Sequence, residues 1–428
     1  MPSSAGPNTA GDSNLAFAYD LGDVVNSYKG EPTTNTVRYS NNVTGSNYGY
    51  NDEYEPCQLV KTWIPSLPTP LGYGATQLTQ QAVNSNWHCL NWFDSDEDGK
   101  RCLSAFIFPL TSGITNLFLG MVGDGGNGVF FNIDTLAITY GGGISNTNAF
   151  ITPVIGYPGW YRVGANIEGR PGGWVASFGI GQNQQYTPSA PFKSFYLCGL
   201  QYERGGPTHV TQPLPSLNGA ATARSVTQGL LPLVGSTSID LTNVSFDNNA
   251  QMIFDGTDDN IALSSTVGNF GTNDWSISCW WKSSGTQDDY ASIISQGFIY
   301  PISAGGWSFK VKNSSGENFL SFSYGTAGEA ITNLVTSAAC NDGNWHNLVA
   351  VKNVGTVTLY MDGVSVGSSS PGPSLSFGTG ATTYLGYTPR DAAYLYGYLN
   401  NFTTYNRALS GIEVSQNYNA IKSRFNIT

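Results

Sequence analysis

The sequence predicts an all-β chain of two tandem β-sandwich (jelly-roll) domains, with an extended N-terminal arm and one short C-terminal helix. Three observations carry this expectation. Apolar and polar residues alternate at period two through many short runs, as they do in half-buried strands. Charged residues make up 11% of the chain, against about 25% in ordinary globular domains, while 52 glycines and a 13% aromatic share supply turns and core. A length of 428 residues is more than one ordinary domain of about 150 residues needs.

The stretch 343–367, GNWHNLVAVKNVGTVTLYMDGVSVG, shows the pattern most plainly. Its halves, 345–352 and 356–364, alternate as strands, which makes Leu348, Ala350, Val357, Leu359 and Met361 candidates for inward positions. Asp362-Gly363 then reads as a type I′ hairpin turn, because both central positions of that turn need positive φ.

In chain order, residues 1–60 read as an extended N-terminal arm and turn-rich segment, with 14–19, NLAFAY, as a short strand candidate. Residues 61–205 hold apolar runs at 102–109, 117–122, 129–133, 160–165, 174–180 and 194–202, separated by turn formers, the pattern of a first sandwich. Residues 206–228 are rich in Pro, Thr, Ser and Ala without a period and read as a linker. Residues 229–428 make the second sandwich, closed by a helix. Ser410 with Glu413 three residues on forms a capping box. Ile412, Tyr418 and Ile421 can share one face, which is expected to pack on the sandwich edge. Lys422 and Arg424 sit near the C-terminal end, where positive charge suits the helix dipole.

Composition also excludes. A net charge of −11 and a pI near 4.6 leave no basic cluster to displace phosphate counterions, so nucleic acid is not an expected partner. No apolar run of about 18 residues appears, so no membrane insertion is expected. The N-terminus has neither a basic start nor an apolar stretch, so no signal peptide is expected. That points to synthesis in a cytoplasm, where Cys57, Cys89, Cys102, Cys198, Cys279 and Cys340 read as buried free thiols.

Several stretches carry a family resemblance. GNWHNLVAVKN, VTLYMDGVSVG, YLGYTPR and YLNNFTTYNRALSGIEV, preceded by MIFDGTDDNIALSS and DWSISCWWKSS, resemble a laminin-G-like, concanavalin A-like lectin/glucanase domain over residues 229–428. KSFYLCGLQYERG is similar to the closing strand of a carbohydrate-binding-module-like jelly roll. NLAFAYDLGD followed by SYKGEPTTN resembles the N-terminal stretch of tailed-phage structural proteins. The resemblance implies a virion protein, made in the host cytoplasm and working outside it after release.

Candidate chemistry is sparse. Asp94, Asp96, Asp98 and Gly99 match the first half of an EF-hand loop, but Ala105 stands at the twelfth position, so an acidic hairpin loop explains them as well as a calcium site. Asp255, Asp258 and Asp259 read either as a turn whose carboxylates bond the local backbone or, as the resemblance implies, as a rim calcium site. Calcium is the one candidate cofactor. No paired-carboxylate string of the glycosidase kind occurs, and His88, His209 and His346 stand apart, so no enzyme is expected. His346 reads as a strand residue. The stripe Tyr394, Tyr396, Tyr398 is the binding candidate. Alternation puts the three rings on one strand face and leaves Leu395 and Leu399 to the core. Such rings suit a protein interface or sugar stacking.

The expected function is a non-enzymatic virion structural protein of a tailed phage, in the capsid decoration, neck, tail or fibre. Its expected partners are other virion proteins, copies of itself in a homo-oligomer, and host cell-surface polysaccharide. A bacterial surface adhesin and a concanavalin-like polysaccharide-degrading enzyme are the alternatives.

Overall fold

A computed structural model of the protein describes residues 12–37, 42–44, 59–72, 74–83, 85–94, 100–122, 127–141, 148–168, 174–186, 188, 190–204, 210–215, 221–247, 251–283, 285, 287, 291–297, 305–314, 317–325, 332–377, 380–389 and 392–428. The fold is all-β and antiparallel, with one short C-terminal α-helix, Gly411–Ile421, as the sequence predicts. Among the described residues no helix is long and apolar enough to cross a membrane.

The chain forms two compact units, but not by a simple cut. One contains residues 12–30 together with Val226–Thr428, and the other is Glu31–Ser225. In the first unit the larger sheet runs in the order Ser245–Phe246, Met252–Asp255, Tyr396–Tyr405, Trp275–Lys282, Trp345–Asn353, Thr356–Met361, Val364–Ser369. A six-stranded sheet faces it, from Ile261–Leu263 to Thr332–Ala339. Alternation builds the core between them. From WSISCWWK, Trp275, Ile277, Cys279 and Trp281 point inward, and they meet Trp307, Phe309 and Phe322 of the facing sheet. Leu348, Ala350, Val357 and Leu359 are fully buried, and Met361 packs against the same core. Asp362 has φ of 52° and Gly363 of 80°, the positive pair that the hairpin turn requires.

The N-terminal arm is where the structure departs most from expectation. Leu15–Asp20 is a strand paired with the second half of Tyr396–Tyr405, with Ala18 opposite Thr403 and Asp20 opposite Asn401. Phe17, Tyr19, Leu21 and Tyr28 belong to the core of the first unit. The Lys29 N–H donates to the Gly229 carbonyl at 2.8 Å. Arg407 binds Asp12 at 2.7 Å, and Arg424 binds Asp20 at 2.7 Å. Residues 1–60 are therefore not one arm, and the 31–225 unit is inserted within the chain of the other. The physical reason is a vacancy along the Tyr396–Tyr405 strand. Met252–Asp255 covers only its first half, and the rest would be an open, apolar edge without residues 15–20.

The C-terminal helix also differs. Its capping box is present, with the Glu413 N–H donating to Ser410 Oγ and the Ser410 N–H donating to Glu413. However, Val414 and Ile421 are its buried residues, whereas Ile412 is 73% exposed. The helix lies on the outer face of the larger sheet rather than its edge. Tyr418 stacks on Trp280 at 5.6 Å and Phe425 stacks on the same indole at 4.3 Å.

The second unit packs an eight-stranded sheet, which includes Tyr161–Glu168, Lys100–Pro109, Ser194–Arg204 and Ala75–Gln80, against a five-stranded sheet from Ser85–Asp94 to Ala137–Gly141. Its core includes Leu78, Ile107, Leu119, Phe131, Val163, Phe178 and Phe195. Of the expected 206–228 linker, the described residues 210–215 and 221–225 belong to this unit, and 226–228 to the other. Thr211 Oγ1 donates to Glu203 at 2.5 Å, the Leu214 N–H donates to Gln201 Oε1 at 2.7 Å, and Asn35 Nδ2 donates to the Leu214 carbonyl at 2.9 Å. Thr222–Arg224 pairs with Thr33–Asn35. Gln201 and Glu203 are buried, and buried polar groups must find partners. The segment rich in Pro and Thr supplies them. Burial draws the Arg162 guanidinium down to about 10, opposed by Glu203 and Glu31.

Cys102, Cys198, Cys279 and Cys340 are buried free thiols, and burial pushes the Cys198 thiol up to about 12.

Burying Phe17, Tyr19 and Tyr28 contributes about 2–3 kcal/mol each, so the first unit should not survive loss of residues 12–30. Expressed alone, residues 226–428 are expected to aggregate. The same fragment with 12–30 joined to its start through a short Gly/Ser loop is expected to give a cooperative melt, checked by circular dichroism.

Candidate functional site

Strand register gathers the candidate residues at one end of the larger sheet in the first unit. Asp255 lies opposite Tyr396, Tyr398 opposite Lys282, and Lys282 opposite Trp345. Leu348 lies opposite Met361, which places the Asp362-Gly363 turn at the same end. This rim therefore carries Asp255, Tyr396, Ser283, His346 and Asp362.

Tyr396 is the exposed ring, at 48%. Its backbone is held by the buried Gln287 side chain, whose Oε1 accepts from the Tyr396 N–H at 2.9 Å and whose Nε2 donates to the Tyr396 carbonyl. The amide thus takes the place of a neighbouring strand. Gly285 lets the ring lie close, since a Cβ there would come within 2.6 Å of Tyr396 Cε1.

The three tyrosines do not form one open face. Tyr394 sits on a separate short strand, Ala393–Tyr394, and stacks on Tyr387 at 4.7 Å, with Tyr384 edge-on to Tyr387 at 5.4 Å. Tyr398 lies edge-on to Trp345 at 6.4 Å, with the Lys282 ammonium 4.2 Å from its ring centre. Both are half-buried, while Leu395 and Leu399 are fully buried. Alternation fixes which side a ring takes, but not what covers it.

Beside Tyr396, Asp255, Asp258 and Asp259 offer carboxylate oxygens within 4.8 Å of one another. Both local and cation-binding chemistry are open to them. Asp259 accepts from the Asp255 N–H at 2.8 Å, and Asp255 accepts from the Thr257 N–H at 2.7 Å. Asp259 is buried, while Asp255 and Asp258 are exposed. Burial, joined by the charges of Asp255 and Asp258, pushes the Asp259 carboxyl up to about 6 against the pull of its Asp255 hydrogen bond. Oxygens so placed suit a hard divalent cation. They are the one such group of three His, Cys, Asp or Glu residues among the described residues. Asp96 and Asp98 lie outside the described residues, as does the side chain of Asp94, the last residue of Ser85–Asp94.

Sequence reading missed the setting of His346. Its Nδ1 lies 2.8 Å from Asp362 Oδ2 and its Nε2 lies 3.2 Å from Asp342 Oδ1. Asp362 also accepts from the Asn347 N–H at 2.8 Å, so one turn carboxylate serves both the ring and the backbone. The i, i+4 spacing of Asp342 and His346 was the available signal. Burial pulls the imidazole down, but hydrogen bonds and charges from Asp362 and then Asp342 overcome it, so its pKa stands above 6.5.

Residues 255–415 match the family model of the concanavalin A-like lectin/glucanases superfamily, of the laminin-G type. This segment is a concanavalin A-like, lectin-like domain. No curated protein matches the chain. Among solved structures, the chain is similar to the binding domain of Paraclostridial Mosquitocidal Protein 1, with 17% identity and a TM-score of 0.34 over 43% of this chain and 49% of that one. It is also similar to domain 4 of AbnA, an extracellular arabinanase from Geobacillus stearothermophilus solved with arabinotriose, with 17% identity and a TM-score of 0.32 over 43% and 82% of the two chains. A third is the receptor binding domain of botulinum neurotoxin D, with 14% identity and a TM-score of 0.37 over 46% and 51%. The chain spans about half the length of the mosquitocidal and neurotoxin structures.

Two titrations follow from the rim. Asp259 holds its proton more tightly folded, at about 6, than unfolded, at about 3.9. Its contribution to stability is therefore full below about pH 4 and is lost as pH rises through about 6. Asp259→Asn keeps an oxygen for the Asp255 N–H and removes the charge. It is expected to be more stable than wild type by about 1–3 kcal/mol near pH 7.5, with no gain near pH 4, in urea unfolding. His346 behaves in the same sense around a higher window. Its stabilisation is full below about pH 6.5 and is lost as pH rises through the folded value. His346→Ala should therefore cost more at about pH 5.5 than at about pH 8.5, read from unfolding midpoints.

Proposed function

We propose that the chain is a non-enzymatic structural protein of a tailed-phage particle, and that its lectin-like sandwich adsorbs to host-surface polysaccharide. The observation that carries the binding half is the rim, where an exposed, rigidly held Tyr396 stands beside the carboxylates of Asp255 and Asp258. An aromatic face packs on the C–H face of a sugar ring, and carboxylates accept its hydroxyls. Calcium held by Asp255, Asp258 and Asp259 would neutralise the trio and bring further coordination sites to the same ligand. The virion half is supported by the resemblance of NLAFAYDLGD and SYKGEPTTN to phage structural proteins. In that setting the protein works as a homo-oligomer among other virion proteins.

On a glycan array with calcium present, the full chain is expected to bind a defined set of glycans without cleaving them. Tyr396→Ala should lower that binding at least about 10-fold at an unchanged melting temperature, and chelation by EDTA should weaken it. Gold-labelled antibody to the chain should decorate purified particles. Turnover of a bound glycan, or labelling of cell surfaces and not particles, would overturn the reading.

A further inference from the structure

Gln201 and Glu203 lie two residues apart on Ser194–Arg204, so strand alternation puts both side chains on one face. Leu200 and Tyr202, on the other face, belong to the core of the 31–225 unit. Gln201 and Glu203 therefore point away from that core, yet they are 1% and 0% exposed. The segment at 210–215 buries them.

Thr211 is the residue of that segment that reaches both. Its Oγ1 donates to Glu203 Oε1 at 2.5 Å and accepts from Gln201 Nε2 at 3.1 Å. On the far side of the same carboxamide, Gln201 Oε1 accepts the Leu214 N–H at 2.7 Å. A hydroxyl is thus held between a carboxylate and a carboxamide, with a backbone N–H aimed at the carboxamide oxygen. These are the parts of an acyl transfer. The carboxylate is within reach of the hydroxyl proton, as a general base must be. The N–H stands where negative charge would develop on the amide oxygen. Thr211 is 1% exposed, so water is kept from competing as nucleophile.

Further contacts hold each part in place. Thr33 Oγ1 donates to Glu203 Oε1 at 2.8 Å, and the Thr211 N–H donates to Glu203 Oε2 at 3.3 Å. Arg162 Nη2 donates to the Thr211 carbonyl at 2.5 Å, and Arg224 Nη2 donates to the Pro213 carbonyl at 3.2 Å. Such fixing gives the hydroxyl a high effective concentration at the carboxamide.

We infer that Thr211 and Gln201 join in an intramolecular ester, formed by the folded chain itself with Glu203 as general base. Thr211 Oγ1 attacks Gln201 Cδ, the atom bonded to the Nε2 that it already touches, as its proton passes to Glu203. The Leu214 N–H stabilises the negative oxygen of the tetrahedral intermediate. The Cδ–Nε2 bond then breaks, Glu203 returns the proton to the leaving nitrogen, and ammonia departs. One Oγ1–Cδ bond replaces one Cδ–Nε2 bond, and Glu203 is regenerated. No oxidant, reductant or cofactor takes part. Escape of ammonia, which protonates in neutral water, draws the step forward, and burial shields the ester from hydrolysis. The product ties Ser194–Arg204 covalently to the segment that covers it, a modification that goes beyond glycan binding and does not depend on it.

The test is the mass of the full chain under denaturing conditions, after purification and incubation at neutral pH. It is expected to be lighter by one ammonia than the sequence requires. Trypsin cuts after Lys193, Arg204 and Arg224, so peptides 194–204 and 205–224 should run as one joined species whose fragments place the bond between Gln201 and Thr211. Mild alkali should part the pair, as it parts an ester and not an amide. Glu203→Gln keeps the size and removes the base, and should slow the loss of ammonia at least about 100-fold. Thr211→Val should keep the full mass, whereas Thr211→Ser, which restores a hydroxyl, should lose ammonia. If Glu203→Gln does not fold, the wild-type mass and the joined pair decide. The inference is overturned if the wild-type chain keeps its full mass, if the two peptides separate without alkali, or if the bond lies between other residues. Loss of ammonia in folded Glu203→Gln at the wild-type rate, or in Thr211→Val, would overturn it equally.

Discussion

The pairing of Leu15–Asp20 with Tyr396–Tyr405 is the constraint on which the lectin-like unit depends. The ten-residue strand needs two partners along one edge, and Met252–Asp255 reaches only its first half. The second half is closed by a segment from the beginning of the chain, which brings Phe17 and Tyr19 into the core. Arg407 and Arg424 pin the two ends of that segment through Asp12 and Asp20. Ion pairs so near the surface are worth about 0.2–1 kcal/mol each, far less than the aromatic burial. They set register more than they supply stability. The same strand begins at Tyr396, so the geometry of the rim rests on the backbone that residues 15–20 complete.

Polar side chains on strands and in the turns between them organise both units. In the 31–225 unit, Gln201 and Glu203 on one strand face are satisfied by Thr211 and Leu214, which turns a segment of linker composition into part of the sandwich. On the rim, Gln287 satisfies the backbone of Tyr396, and Asp362 satisfies both His346 and the Asn347 N–H. In each case an amide or carboxylate fixes a local shape that hydrophobic packing would leave loose. Asp259 is the exception. It is buried beside two like charges with a backbone N–H for company, and the proposed cation site rests on that imbalance.

The sequence was most legible where the signal is local. Alternation at 345–352 and 356–364, the Asp362-Gly363 turn and the Ser410–Glu413 capping box each depend on residues within a few positions, and each is present. The resemblance over 229–428 likewise covers the matched segment 255–415. What escaped was long-range. Nothing in NLAFAY says that its partner lies near residue 403, and only a free stretch on another strand decides it. Helix periodicity offered Ile412 as an inward residue, but docking on Trp280 through Tyr418 turned it to solvent. The tyrosine stripe is divided for a related reason, because Tyr387, Trp345 and Lys282, which pack on Tyr394 and Tyr398, come from other strands.

Hydrogen–deuterium exchange on the full chain, resolved to the peptide covering residues 15–20, tests the central structural claim most directly. If this segment closes the lectin-like sandwich, its amides exchange as slowly as those of Tyr396–Tyr405, and both open together as denaturant is raised. If they exchange within seconds while Tyr396–Tyr405 stays protected, the segment is a tail, and the two units are tandem after all.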